Sequence, residues 1–403
     1  MVSSRQNAHL TFKGNQGGGR HAWLRLTPAY SVRLVRDHVA RTGPGDVVTD
    51  PFSGTGTTAL AAAEHGGRGQ ALDINPFLIW LGETKIRHYN GSTLARGADL
   101  AREVRRTAQE LLGAPDLWQP RLANIARWWP LSTLEGLKAL RAALDEHPAD
   151  PSRDLLDIAF CRTLIQTSNA AFDHQSMSFK AGMSGESGAA VLDVFAGQAR
   201  TIVDSAAVDL PGNARFVRCD SREMGSADLV PCDLLLTSPP YVNRMSYIRE
   251  LRPYMYWLRY LDVANDAAEL DWTAIGGTWG VATSRLATWT AAEQTPIDDR
   301  LSAICDRIAG EGGRSGALLA NYVRRYFVDM WSHFQAAYKH VASGGRATYI
   351  IGNSTFYGHV VPAEEWYRAM LVEAGFGPVT LTAIRKRNSK KELFEYDVTA
   401  RKP

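Results

Sequence analysis

The chain has 403 residues, 45% of them apolar, and a formal net charge of only +3. That length predicts one large α/β domain with insertions, or two domains, around a real core. The near-neutral balance removes any whole-chain signature of nucleic-acid binding, so local clustering must carry that question. The four cysteines (Cys161, Cys219, Cys232 and Cys305) form no CxxC pair, and no His/Cys cluster has zinc spacing, which argues against a disulfide framework and a metal site. Residues 1–19 are polar and glycine-rich, without an apolar leader core. No run of about 20 uninterrupted apolar residues exists to span a membrane. A cytoplasmic, nucleoid-associated protein of a prokaryote is the expectation.

In chain order, residues 1–19 read as a flexible arm. Residues 20–41 carry Val32, Leu34, Val35 and Val39 at helical spacing after Pro28. Residues 46–50 (DVVTD) are a short buried strand ending in a glycine-rich turn. An alanine-rich helix follows over 57–65, then a second strand over 69–73. Residues 20–90 thus form a first catalytic segment. Residues 91–210 are almost wholly helical, with amphipathic stretches at 100–112 and 131–144 and a more uniformly apolar one at 155–167. They read as a helical insertion. Strand signals return at 214–218 and 233–237, the latter with an unbroken leucine run suited to a central parallel strand. This second catalytic segment covers 211–261. Residues 262–316 are polar and read as an irregular insertion. The C-terminal catalytic segment, 317–403, holds a long helix over 322–340, a strand over 346–351, a helix over 364–374 and an antiparallel pair over 379–384 and 395–400.

Two segments carry chemistry. Asp50-Pro51-Phe52-Ser53-Gly54-Thr55-Gly56-Thr57-Thr58 lies between a strand and a helix. Its glycines permit a tight turn and close backbone approach to a ligand, and the helix that follows aims free N–H groups at that turn. Asp73 ends the next strand about 20 residues later, where a doubly wound fold places a carboxylate on ribose hydroxyls, with Asn75 beside it. The turn is neither GxGxxG nor a phosphate loop. An acid before the glycines is unfriendly to pyrophosphate and suits a cationic ligand such as one bearing a sulfonium and an ammonium.

The second segment, Thr237-Ser238-Pro239-Pro240-Tyr241, stops a buried strand abruptly. Two prolines fix φ and remove two backbone donors, leaving carbonyls in a rigid direction. Ser238 Oγ and the Pro239 carbonyl suit the two N–H groups of an amine. Holding both would localise a lone pair otherwise delocalised into an aromatic base. Tyr241 offers a ring on which an extruded base can stack.

Together these segments resemble motifs I and IV of the amino-DNA methyltransferases, over residues 20–86, 213–260 and about the last 80. The resemblance implies an α/β, Rossmann-like methyltransferase fold with a seven-stranded, mostly parallel sheet. It implies S-adenosyl-L-methionine as cofactor, with Asp50, Gly54 and Gly56 around its methionine part and Asp73 on its ribose. Ser238, Pro239, Pro240 and Tyr241 would hold the target base. Trp23 opens a segment, residues 23–31, similar to the family's motif X, which folds over the cofactor. Asp220 matches the acid that contacts the cofactor's adenine. Serine before Pro-Pro points to cytosine N4 in double-stranded DNA, by base flipping and direct in-line transfer; adenine N6 is the alternative. A further alternative is a non-catalytic DNA-binding partner of the same fold, and RNA is a remoter substrate. Carbon-5 methylation needs a cysteine nucleophile, and Cys232 precedes its strand rather than ending it. A cognate restriction endonuclease would be the companion in a restriction-modification system. Cradle before proline motif is the reverse of the order frequent in serine-type N4 enzymes. For target recognition, Asn169, His174, Gln175 and Lys180 compete with residues 262–316. The basic run over 385–391, with Lys13, Arg20 and His21, would track the DNA backbone.

Overall fold

The structure is a computed structural model, and it describes residues 15, 18–24, 30–171, 178–180, 185–243, 246–278, 281–387 and 392–403. The arm's Lys13, residues 25–29 of the motif-X segment, His174, Gln175 and the hairpin tip 388–391 lie outside the described residues.

Seven strands form one sheet: β1 (Val47–Asp50), β2 (Arg68–Asp73), β3 (Asn213–Arg218), β4 (Cys232–Thr237), β5 (Val341–Gly352), β6 (Val379–Lys386) and β7 (Phe394–Arg401). Their spatial order is β6-β7-β5-β4-β1-β2-β3. All neighbours pair in parallel except β7, which runs antiparallel to both β5 and β6. This is the Rossmann-like, mostly parallel sheet expected. The central strands are apolar because both faces are covered: every residue of β1 is buried, as are Leu234, Leu235 and Leu236 of β4. The chain winds outward from β1 to β3, then returns across β1 to β4. A crevice must open at the carboxyl ends where the winding reverses, between β1 and β4.

The helical block comprises Gly91–Glu110, Leu131–Asp145, Pro151–Gln166 and Gly188–Ala206. It is not a separate body. Its apolar faces share one core with Phe77, Leu78 and Leu81 of helix Pro76–Ile86, and with Leu251, Met255 and Trp257 of helix Tyr247–Trp257.

Two expectations are corrected. The stretch 262–316 is not irregular: it forms helices Ala264–Thr273, Val281–Thr288 and Asp298–Glu311, and the 28-residue helix Gly313–His340 begins inside it. Leu301, Cys305 and Ile308 make a narrow buried stripe at i, i+4, i+7, hidden in the sequence by the polar residues around it. Arg20 is not a surface contact for nucleic acid. It is 3% exposed, and its guanidinium donates to the carbonyls of Lys85, Arg87, Ala206 and Val208 at 2.7–2.8 Å. Those carbonyls end two helices, where a cation is doubly favoured. His21 Nε2 meets Glu64 at 3.2 Å, with a side chain only 6% exposed.

Candidate active site

A cleft of about 940 Å³, counted to its open mouth, occupies the crevice at the β1/β4 reversal. Its wall combines the turn after β1 (Pro51, Phe52, Ser53, Gly54, Thr57), the end of β2 (Asp73, Asn75), the end of β3 (Asp220) and the end of β4 (Ser238, Pro240). The fold thus brings ten of the sequence-selected residues to one surface.

The others stand behind that surface or away from it. Asp50 is fully buried. Its carboxylate accepts from Thr237 Oγ1 at 2.6 Å and from the Phe52 N–H at 3.1 Å, and Tyr30, which lines the cleft, donates to it at 3.5 Å. Burial raises its proton affinity against those hydrogen bonds. Thr58 joins the same knot through Tyr30 Oη and the Leu236 carbonyl. Gly56 supports the turn rather than facing a ligand. Its φ is +78°, and an added Cβ would lie 2.8 Å from Phe216 Cζ. Gly56→Ala is therefore expected to lower stability by about 1–3 kcal/mol, read from the denaturant midpoint at constant slope. Neither Pro239, which is buried, nor Tyr241 lines the cleft, so the expected stacking surface is not on the wall; Tyr241 Oη instead accepts from the Ser238 hydroxyl. Trp23 does not line the cleft: it is 1% exposed in the helical core and donates to Ser205 Oγ at 2.7 Å.

Hydrogen bonds set what each wall group still offers. Asp73 accepts the Gly54 N–H (3.1 Å) and the Asn75 N–H (2.9 Å), so it shapes the cradle turn while keeping lone pairs free. Asn75 caps helix Pro76–Ile86 by accepting from the Phe77 N–H. Asp220 is gripped by Arg222 at 2.6 and 3.0 Å, and Arg222 also reaches Asp329 at 2.6 Å. Pro240's carbonyl accepts from Tyr326 Oη at 2.7 Å, whereas among the described residues no hydrogen bond reaches the Pro239 carbonyl. Ser53 Oγ is buried on the cleft wall and has no hydrogen-bond partner among the described residues. Such an orphan asks for a ligand. Below the turn, Lys85 is 1% exposed and donates to the Thr55 carbonyl at 2.9 Å; burial lowers its ammonium to about 7.

Of the further wall residues, Tyr30 belongs to the segment 23–31 read as similar to motif X, while Tyr247, Ile248, Leu251 and Thr273–Ile275 were not singled out in the sequence. The apolar periodicity of 247–257 was a usable signal for Tyr247, Ile248 and Leu251. None existed for Thr273–Ile275, which folds back from the helix 264–273. Cys232 is buried at the start of β4 with its thiol pushed up to about 12, which suits a core residue and not a nucleophile. Where it is described, the basic run already has partners within the chain, though the Lys386 pair stays exposed. Arg385 pairs with Glu395, Lys386 with Glu392, and Arg387 donates to the Asn353 carbonyl. The returning strand supplies Glu395, and the segment just before it supplies Glu392.

No family model matches the chain. Among curated proteins it is similar to the type II methyltransferase M.BsoBI of Geobacillus stearothermophilus, at 20% identity over 96% of this chain and 85% of that protein. A methyltransferase is thus its distant relative over nearly the whole length. Among solved structures it is similar to TrmN from Thermus thermophilus, at 11% identity and a TM-score of 0.32, covering 92% of this chain and 48% of that one. The chain spans about half the length of that structure, and a likeness of this size assigns no activity. Among the described residues no helix is long and apolar enough to cross a membrane.

Proposed function

We propose that this chain is an S-adenosylmethionine-dependent DNA methyltransferase acting on the N4 amino group of cytosine. The observation that carries the reading is the shared wall: the cradle turn and Asp73 face the same cleft as Ser238. The relationship to a type II methyltransferase over 96% of the chain supports methyl transfer, and the serine before Pro-Pro favours cytosine over adenine.

The cofactor fits the donor set. Gly54 and Ser53 bring backbone and an orphaned hydroxyl to the ligand, Asp73 presents carboxylate lone pairs for hydroxyl donors, and Asp220 lines the third strand end. S-adenosylmethionine would supply an electrophilic methyl group on a cationic sulfur. The protein's own part is positioning and dipole placement. Ser238 Oγ and the Pro239 carbonyl, which no hydrogen bond reaches among the described residues, accept from the two N–H groups of the target amine, which localises its lone pair. The base must leave the duplex to reach them, at roughly a few kcal/mol of lost stacking. Tyr241 does not line the cleft, and the Arg387 guanidinium lies over its ring, 5.4 Å from the centroid, so its part is to support Ser238 from behind and not to stack on the base.

Incubation with labelled cofactor and DNA, followed by nucleoside digestion, tests the assignment; sequencing with modification detection then maps the site. N4-methylcytosine is expected. N6-methyladenine would move the target to the alternative base, and cofactor binding without any modified nucleoside would make the chain a non-catalytic partner.

Burial pushes the Asp73 carboxyl up from 3.8 to about 7. The folded cleft therefore keeps a proton that the unfolded chain has released, so this group costs stability progressively as pH rises from about 4 to about 7. Above that, the ionised carboxylate is acceptor-only and best suited to hydroxyl donors. Cofactor affinity is expected to rise between about pH 6 and pH 8. Calorimetry on the wild type and Asp73→Asn checks this. Lys85 titrates in the same window, so only the part of the dependence lost in Asp73→Asn belongs to Asp73.

A further inference from the structure

A chain of hydrogen bonds runs from the cleft wall into the antiparallel edge of the sheet. Ser238 lines the cleft, and its hydroxyl donates to Tyr241 Oη at 3.5 Å. Tyr241 donates in turn to Glu395 Oε1 at 2.9 Å. Glu395, on β7 and 5% exposed, accepts from Arg385 Nε at 2.6 Å and from a terminal guanidinium nitrogen at 3.3 Å.

The direction of this chain is not free. A carboxylate paired with a guanidinium has acceptors only. Tyr241 must therefore donate to it, which turns the phenolic lone pairs toward Ser238. Burial, and then the Glu395 carboxylate, hold the Tyr241 phenol well above its ordinary range, so it keeps the proton it donates. Ser238 is then the donor in its own contact with Tyr241. What its oxygen leaves for the cleft is lone pairs.

We infer that Glu395 is a positioning residue that acts through Tyr241 to hold Ser238 as a hydrogen-bond acceptor, and so makes the cleft choose an amino group over a carbonyl on the incoming base. The inference rests on the methyltransferase reading above. It extends the site to a residue 154 positions from Tyr241, outside every motif of the sequence. Cytosine and uracil differ by this exchange of amine for carbonyl, as do adenine and hypoxanthine. A serine hydroxyl free to rotate serves either partner, because it can donate as well as accept. A hydroxyl whose proton is committed elsewhere leaves a carbonyl facing lone pairs, and such a mismatch is where polar sites discriminate strongly.

The test uses the full chain, its mapped target duplex and a second duplex with uracil or hypoxanthine in place of the methylated base. Glu395→Gln replaces the acceptor-only group with an amide that presents either face. Tyr241→Phe removes the link and keeps the ring. Each variant is expected to lower kcat about tenfold with little change in KM or cofactor Kd. The double variant should lose no more than the worse single one. The ratio of Kd values for the two duplexes should fall toward unity in both variants; comparing ratios between proteins cancels the difference in duplex stability. An unchanged ratio in two folded variants would overturn the inference and leave the methyltransferase reading standing. So would fully additive losses. Absence of methyl transfer by the wild type, with cofactor bound, would overturn that reading and the inference with it.

Discussion

Replacing Ser238 with alanine is expected to cut methyl transfer about 100-fold while cofactor affinity stays within about twofold of the wild type. The two halves of this expectation come from different parts of the wall. The groups proposed for the cofactor stand after β1 and β2 (Gly54, Ser53 and Asp73), and none of them hydrogen-bonds Ser238. Among the described residues the hydroxyl of Ser238 hydrogen-bonds only Tyr241, at 3.5 Å, and without it Tyr241 keeps its own bond to Glu395, so no buried donor is orphaned. Stability should therefore change little. The loss falls on the step in which the amine must become tetrahedral, where an acceptor counts more than in the ground state. Single-turnover kinetics beside calorimetric cofactor binding separate the two. Normal turnover in Ser238→Ala would remove the amine-holding role from this turn.

Arg20→Ala is expected to be the most destabilising single change outside the core, by about 3 kcal/mol or more. The guanidinium satisfies four carbonyls in two groups, those of Lys85 and Arg87 and those of Ala206 and Val208. Alanine would leave helix ends buried without donors, a cost larger than the net worth of the bonds themselves. Arg20→Lys should recover only a fraction, because one ammonium cannot match a planar fork directed at two helix ends. Denaturant midpoints at constant slope give the magnitude. A second effect should travel to the cleft. Lys85, whose carbonyl Arg20 holds, itself holds the Thr55 carbonyl of the cradle turn. Cofactor affinity should drop in Arg20→Ala at temperatures where the chain is still folded. Wild-type affinity there would show that the clamp and the cradle are mechanically separate.

Much of the architecture was legible because consecutive residues carry it. The leucine run of β4 and the buried β1 announce central parallel strands; β1 ends in Asp50, and Ser238 directly follows β4. Glycine and proline placed the turns, since their φ preferences act locally. The helices between residues 91 and 206 showed themselves by periodicity. By contrast, helices 264–273 and 298–311 were overlooked, because a three-residue apolar stripe is too narrow to stand out among charges.

The sequence by itself determined that a glycine-rich turn after an acid and a Ser-Pro-Pro turn each follow a buried strand of one α/β protein. Only the tertiary structure decided which side chains meet the ligand space. Asp50 was expected at the ligand and lies behind Tyr30, with its carboxylate bound to Thr237, 187 residues away. Arg20 looked like a surface cation and is the clamp between two helix ends. Arg385 looked free for a phosphate and instead fixes Glu395, which in turn holds Tyr241. The physical reason is common to all three. A charged group is held by whichever donors, acceptors or opposite charges the fold brings to hydrogen-bond distance, and those partners are set largely by strand order and helix packing rather than by neighbours along the chain.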